Sequence, residues 1–481
     1  MNNSSRDEHQ SPPLLADTAP ALAHTSGRGA RDLENGSESR RAAPPTPSRK
    51  HGLPHLDGLR GVAAFMVYMA HWMSYWYECD NGFCWGWGYR DSNRLFATLP
   101  FVRVFFTGGN AAVAIFFVLS GYVLSVSPLR MLHNEDLPSR VRRNLVSASI
   151  RRPFRLFIPP IAVSLLMALS MHLPFGLAPW LSWPTPADNL FIELWTWLRE
   201  TAIVLYPFVD SGPFGRWFRY DPPTWTIAVE LEGSIAVFLL IGALSAVRPR
   251  VRLLSFCAVG VAFAIMYEWA LSMFVAGLLL ALNDLSALDA AFLKRASPQI
   301  RTAMFHTLFF VGWYLLSQPT GMREPEQALG TPGWYVLTSL TPSNYLEYWR
   351  FWEIPGAALL VYGVLRIEWL QRFLSSRPLR YLGRVSFSFY LIHIPFLWTL
   401  GDRICRVLGR YKFTEEPQHW YDGMLAIPDI GPIGLTSGFV ASQAIILPIN
   451  LALGEVGTRL LDQPSVKVGK WVVERINWLK S

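Results

Sequence analysis

Long apolar runs separated by short charged blocks dominate the chain from about residue 58 onward. A helix needs about 20 mainly apolar residues to cross a bilayer. Runs of this kind fall near 58–77, 108–127, 156–173, 224–246, 253–268, 271–283, 303–317, 351–365, 386–402 and 433–456. The pattern predicts an all-α, polytopic integral membrane protein of about ten transmembrane helices. Residues 1–52 are rich in Pro, Ser, Ala and Arg and contain no apolar stretch of signal-peptide length, so they are expected to form a disordered cytosolic tail. Residues 53–456 then form the membrane domain and 457–481 a second cytosolic tail. Between 174 and 223 lies a loop dense in Trp and Pro, with an amphipathic piece near 189–207 suited to the membrane interface.

Composition agrees with this pattern. Charged residues make up 16% of the 481, against about 25% in ordinary soluble domains, and the hydrophobic fraction is 51%. The net charge of +8 does not imply nucleic acid, because Lys and Arg sit at the ends of apolar runs rather than on one face or in one tail. They are in excess on the flanks that an inside N-terminus assigns to the cytosol, which predicts both termini cytosolic in an endoplasmic reticulum, endomembrane or plasma membrane setting. Most of the 20 Trp lie at run ends and in outer loops, where an amphipathic ring suits the interface. Four cysteines are too few for a disulfide scaffold; Cys79 and Cys84 can pair in an outer loop, whereas Cys257 reads as inert packing.

The chemistry lies in ionisable residues inside apolar runs, each costing about 2.5–3.5 kcal/mol at mid-bilayer. His71, Glu230, Glu232 and His393 are such residues. Arg60 precedes His71 by eleven positions in LDGLRGVAAFMVYMAHW, about 20° past three full turns, so both project from one helix face about 16 Å apart along the axis. An arginine at the cytosolic mouth and an imidazole deeper on the same face suit a path for an anionic ligand. Arg152 and Arg155 in IRRPFRLFIPP can converge on a phosphate. Trp225 precedes Glu230 by five in PPTWTIAVELEGS, and Tyr390 and Ser386 precede His393 at helical spacing in RVSFSFYLIHIPF. The pair Ser120-Gly121 reads as helix packing, since a nucleophile elbow needs flanking glycines that it lacks.

In order along the chain, LDGLRGVAA, FFVLSGY, RRPFRLFIP, TWTIAVELE and SFSFYLIHIP resemble the acyltransferase 3 family of membrane acyltransferases, and the wide loops resemble its fungal members. The resemblance covers about residues 53–456. It implies about ten spans and transfer of an acyl group from cytosolic acyl-CoA, acetyl-CoA included, to a hydroxyl of a carbohydrate, lipid or small natural product. It also implies catalytic roles for His71, Arg60 and Glu230 and donor binding by Arg152 and Arg155. Trp225, Tyr390 and His393 are the candidate substrate contacts. No permanently bound cofactor and no metal is expected, and the lipid bilayer is the expected partner besides the two substrates. The longer Trp-rich segment at 174–223 departs from the family and leaves the acceptor open.

A thioester and an alcohol need a base, because an unactivated hydroxyl is a poor nucleophile. His71 has the suitable side chain, with Glu230 to fix its tautomer or steady the imidazolium. The rival reading is a proton-coupled transporter or exporter of an organic anion or glycan, in which the same buried groups relay protons. That architecture predicts internal pseudo-symmetry, which the sequence does not display.

Overall fold

In the computed structural model the architecture is helical, with no strand among the described residues. These are 53–77, 84–89, 93–134, 136–173, 185–206, 218–320, 333–411, 417 and 419–476. The tail expected at 1–52 lies outside them. The longer helices are α1 (Pro54–Trp76), α2 (Gly109–His133), α3 (Pro138–Ser170), α4 (Leu190–Val204), α5 (Trp225–Ala243) and α6 (Pro249–Ile265). After them come α7 (Trp269–Ser286), α8 (Pro298–Leu316), α9 (Tyr348–Val364), α10 (Arg377–Phe396), α11 (Ser437–Gly457) and α12 (Gln463–Arg475).

Each apolar run read from the sequence coincides with one of these helices, α4 and α12 being additional. By length and apolarity alone, 5 of the described helical segments can cross a membrane: α2, α3, α5 with the turn before it, α7, and α11 with its continuation. The others dilute the same pattern. Helices α6 and α9 have 17 residues each, and α10 carries Arg377, Arg380 and Arg384 in its first half. Large apolar side chains face outward on the spans, among them Leu166, Leu239 and Leu254, all more than half exposed. Water would penalise such a surface; acyl tails do not.

Three expectations shift. Helix α3 begins at Pro138 rather than near 156, because its arginine-rich segment is helical and continuous with the span. Beyond residue 456 the chain does not leave the domain as a tail: a π-helical stretch, Thr458–Asp462, leads into α12. Helix α12 packs on α3 so closely that a Cβ at Gly469 would stand 3.0 Å from the Arg151 carbonyl oxygen. Cys257 is exposed on α6, whose one buried residue is Phe256, so it does not pack the core. Cys84 is disulfide-bonded and Cys405 is free, while Cys79 lies outside the described residues.

The amphipathic piece expected near 189–207 is α4, started by Asn189, whose side chain accepts from the Ile192 N–H. Its outward face is apolar, Phe191 being 80% and Trp195 63% exposed. Of its two acids, Glu193 is turned inward, where His172, the Ala187 N–H and the Tyr220 hydroxyl satisfy it, and Glu200 pairs with Arg219 at 3.1 Å. That arrangement suits a helix lying in the interface.

Glycines set how near the spans come. A Cβ at Gly121 would stand 2.1 Å from the Phe274 carbonyl oxygen, and one at Gly277 would stand 2.1 Å from that of Val118, so α2 and α7 touch backbone to backbone. Between spans in lipid there is little hydrophobic drive, and such contacts supply packing instead.

Candidate active site

The site grows from a second glycine seam, between α1 and α10. A Cβ at Gly61 would lie 2.6 Å from the Gly383 nitrogen, and one at Gly383 would lie 2.0 Å from the Asp57 carbonyl oxygen. Contacts then climb both helices together: Tyr68 meets Phe389, His71 meets His393 and Trp72 meets Phe396. The two helices are therefore parallel, with their N-terminal ends at one end of the bundle. Ten residues beyond the glycine contact, about 15 Å up the axis, the same register brings the two histidines together.

Two cavities open along this seam. The inner one, of 150 Å³, is mainly apolar, with Phe116, Phe117 and Leu156 on its wall. Its polar groups are Arg60, Ser120, Arg152, Arg155, Thr226, Glu230, Ser386 and Tyr390. The structure thus brings together five of the eight candidate site residues around one chamber: Arg60, Arg152, Arg155, Glu230 and Tyr390. The outer cavity, of 560 Å³, lies where α1 and α10 begin, and Arg60, Arg155, Ser386 and Phe387 belong to both walls. Arg377, Arg380 and Arg384 add three more guanidinium groups at this mouth, against Asp57 and Asp462.

Hydrogen bonding divides these arginines. Arg152 binds Glu230 and the Ser234 hydroxyl, and Ser120 donates to Glu230 over 2.6 Å. Arg155 reaches Asp462 at 3.5 Å, and Arg384 makes a two-point pair with Glu455 at 3.0 and 2.8 Å. Arg60, Arg377 and Arg380 make no hydrogen bond or ion pair among the described residues. Arg152 and Arg155 line one chamber but engage different carboxylates.

The histidines lie beyond the inner chamber, and neither is on the wall of these two cavities. Tyr390, which is on the inner wall, has its hydroxyl 2.9 Å from both the Thr226 hydroxyl and the Pro223 carbonyl oxygen. One turn higher, His393 is fully buried. Its Nε2 is 3.1 Å from Nδ1 of the partly exposed His71, and the ring centroids are 4.9 Å apart. The neighbour of His71 is thus a second imidazole, whereas Glu230 bonds within the arginine cluster. Trp225 packs in the core with its ring 6.2 Å from that of Trp269 and does not line the inner chamber. Among the described residues no cluster of His, Cys, Asp or Glu is arranged to hold a metal ion.

Residues 53–447 match the model of the acyltransferase domain of the acyltransferase 3 type. The chain belongs to the acyltransferase 3 family. It is similar to the O-acetyltransferase PaAT-1 of Phomopsis amygdali, at 27% identity over 89% of this chain and 85% of that protein. Acyltransferase R4 of a Phoma species is 24% identical over 74% of this chain and 85% of its own length. Acyltransferase clz18 of Cochliobolus lunatus is 23% identical over the same shares. All three are fungal, as is the branch this acyltransferase 3 protein resembles. No solved structure matches the chain. The protein is therefore an acyltransferase of the membrane.

Ser120, Arg377 and Arg380 are among the polar members of these walls that sequence reasoning missed. Ser120 was read as packing, yet only its neighbour Gly121 packs; the hydroxyl turns the other way, to Glu230. Arg377 and Arg380 did carry a signal, since with Arg384 they form RPLRYLGR, spaced three and four apart and so on one helix face. Their weight as a site was hidden because basic residues at a span end are expected for orientation alone.

Proposed function

We propose that this protein is a membrane-embedded O-acyltransferase that takes an acyl group from acyl-CoA and gives it to a hydroxyl of a carbohydrate, lipid or small natural product. The observation that carries this reading is the joined pair of cavities. A wide mouth with the free guanidinium groups of Arg60, Arg377 and Arg380 narrows to an apolar chamber ending at Tyr390, one turn below the histidine pair. Phosphates suit the mouth, because guanidinium groups bind them through charge-assisted hydrogen bonds. The uncharged arm and thioester suit the inner chamber, where Arg152 is already neutralised by Glu230. In this reading the mouth faces the cytosol, where acyl-CoA is made, so the N-terminal end of α1 is cytosolic too.

His71 is the general base. As the acceptor oxygen attacks the thioester carbon, its proton passes to His71; the tetrahedral intermediate then expels the CoA sulfur, which takes the proton back. Arg60, Arg152 and Arg155 hold the donor, Glu230 keeps Arg152 in place, and Tyr390 borders the reacting end. The name of the Phomopsis amygdali relative, an O-acetyltransferase, supports an oxygen acceptor and a short acyl group.

Release of CoA thiol from acetyl-CoA by the detergent-purified protein, with water or small alcohols as acceptor, tests this assignment. His71→Ala is expected to lower turnover at least about 100-fold, the usual scale of general base catalysis, while binding of CoA measured by calorimetry is unchanged. Turnover near the normal rate in that variant overturns the base assignment.

A further inference from the structure

The surroundings of the two histidines fix which nitrogen of each holds a hydrogen. Val67 and Tyr390 present backbone carbonyl oxygens, which only accept. His71 Nδ1 is 2.9 Å from the Val67 oxygen, and His393 Nδ1 is 2.5 Å from the Tyr390 oxygen, so both Nδ1 atoms carry hydrogen. A neutral imidazole has one N–H. His393 Nε2 is therefore a lone pair, and it faces His71 Nδ1 at 3.1 Å. The His71 Nδ1–H is shared between two acceptors, and His71 Nε2, without a partner among the described residues, keeps its lone pair.

Resting on the reading of His71 as the base, we propose that His393 is its positioning residue, a neutral acceptor that holds His71 as the Nδ1–H tautomer and leaves Nε2 to take the proton. A carboxylate fills this role in many hydrolases. Here the position is fully buried among spans, and an ion in such a place costs several kcal/mol. A second imidazole supplies the same acceptor without a resting charge. When Nε2 is protonated, the positive charge of the His71 ring strengthens the Nδ1–H bond to His393 Nε2 and to the Val67 oxygen, which stabilises the imidazolium. In the transfer itself, the acceptor O–H bond breaks as its oxygen bonds to the thioester carbon, and the hydrogen goes to His71 Nε2. The C–S bond then breaks, and the same hydrogen leaves on the CoA sulfur. His393 keeps its own Nδ1–H throughout. The geometry that makes this possible is the glycine seam, since Gly61 against Gly383 and His71 against His393 share one register on α1 and α10.

Two replacements test it in full-length protein, with acetyl-CoA as donor. His393→Met fills the space without an acceptor, and kcat is expected to fall about 100-fold with the KM for acetyl-CoA changed less than about twofold. His393→Gln supplies a carbonyl oxygen at the distance of Nε2 and is expected to recover at least about tenfold of that loss, an effect that space-filling alone does not produce. Should His393→Met not fold, His393→Asn, whose amide stops one atom short, replaces it and is expected to be slower than His393→Gln. Met retaining kcat within about threefold of wild type, or Gln no better than Met or Asn in protein that still binds CoA, overturns the proposal. If His71→Ala abolishes turnover while His393→Met does not, the pairing falls and the base stands; if His71→Ala turns over normally, both fall.

Discussion

Arg152 in the inner chamber is bound to Glu230 and Ser234, whereas Arg377 and Arg380 at the mouth have no carboxylate partner among the described residues. The contrast follows from water. An arginine 13% exposed between spans must be neutralised, because an unpaired ion there costs several kcal/mol. At the end of the bundle, a guanidinium group can remain solvated and unpaired until an anion arrives. Paired Arg152 helps build the chamber, and the unpaired Arg377 and Arg380 stand at the mouth where a ligand arrives.

Breaking the paired set has the largest effect. Glu230→Ala leaves Arg152 without its counter-ion and is expected to destabilise the protein by about 2–5 kcal/mol, read as a lower melting temperature in detergent. Replacing both, Glu230→Leu with Arg152→Met, is expected to recover most of that stability but none of the turnover. A melting temperature unchanged in the single variant contradicts the compensating role.

Next in size is the seam that relates the two regions. Gly383→Ala puts a Cβ where the Asp57 carbonyl oxygen stands, and backbone cannot yield as a side chain can. It is expected to cost about 1–3 kcal/mol in stability and, by shifting α1 against α10, to lower turnover more than the stability loss explains. Normal turnover would mean that the histidine register tolerates a spread seam.

The smallest effect sharpens the comparison at the mouth itself. Arg377→Ala with Arg380→Ala is expected to weaken CoA binding about 10- to 30-fold, and more at low salt, with kcat unchanged. Arg384→Ala, in a residue already occupied by Glu455, is expected to change CoA binding less than about twofold. Calorimetric titration of CoA into the variants compares the two, and equal losses would erase the distinction between paired and free arginines.

Much of the membrane domain was legible in the chain, because apolar runs of span length have few alternatives to helices. The misplaced boundaries were polar ones. The start of α3 and the helix after residue 456 carry charges, and hydropathy has no signal for a helix that leaves the lipid and continues. Arg60, Arg152, Arg155 and Glu230 drew notice for the same reason that the runs did: a charge in or beside an apolar segment needs a partner. The identity of the partner was not legible. Glu230 was expected to serve His71 and bonds with Arg152 and Ser120, and nothing near residue 230 in sequence foretells this.

The one-dimensional pattern determined which segments become helices, that His71 and Arg60 share a face of α1, and which polar groups must be sheltered, since these follow from helical period and the cost of charge in lipid. Only the tertiary structure decided that His71 meets His393 across 322 positions and that five candidate residues enclose one chamber. Those pairings depend on how closely α1 and α10 approach and at what register, and a glycine seam fixes both through backbone contact rather than through any local preference of the residues it brings together.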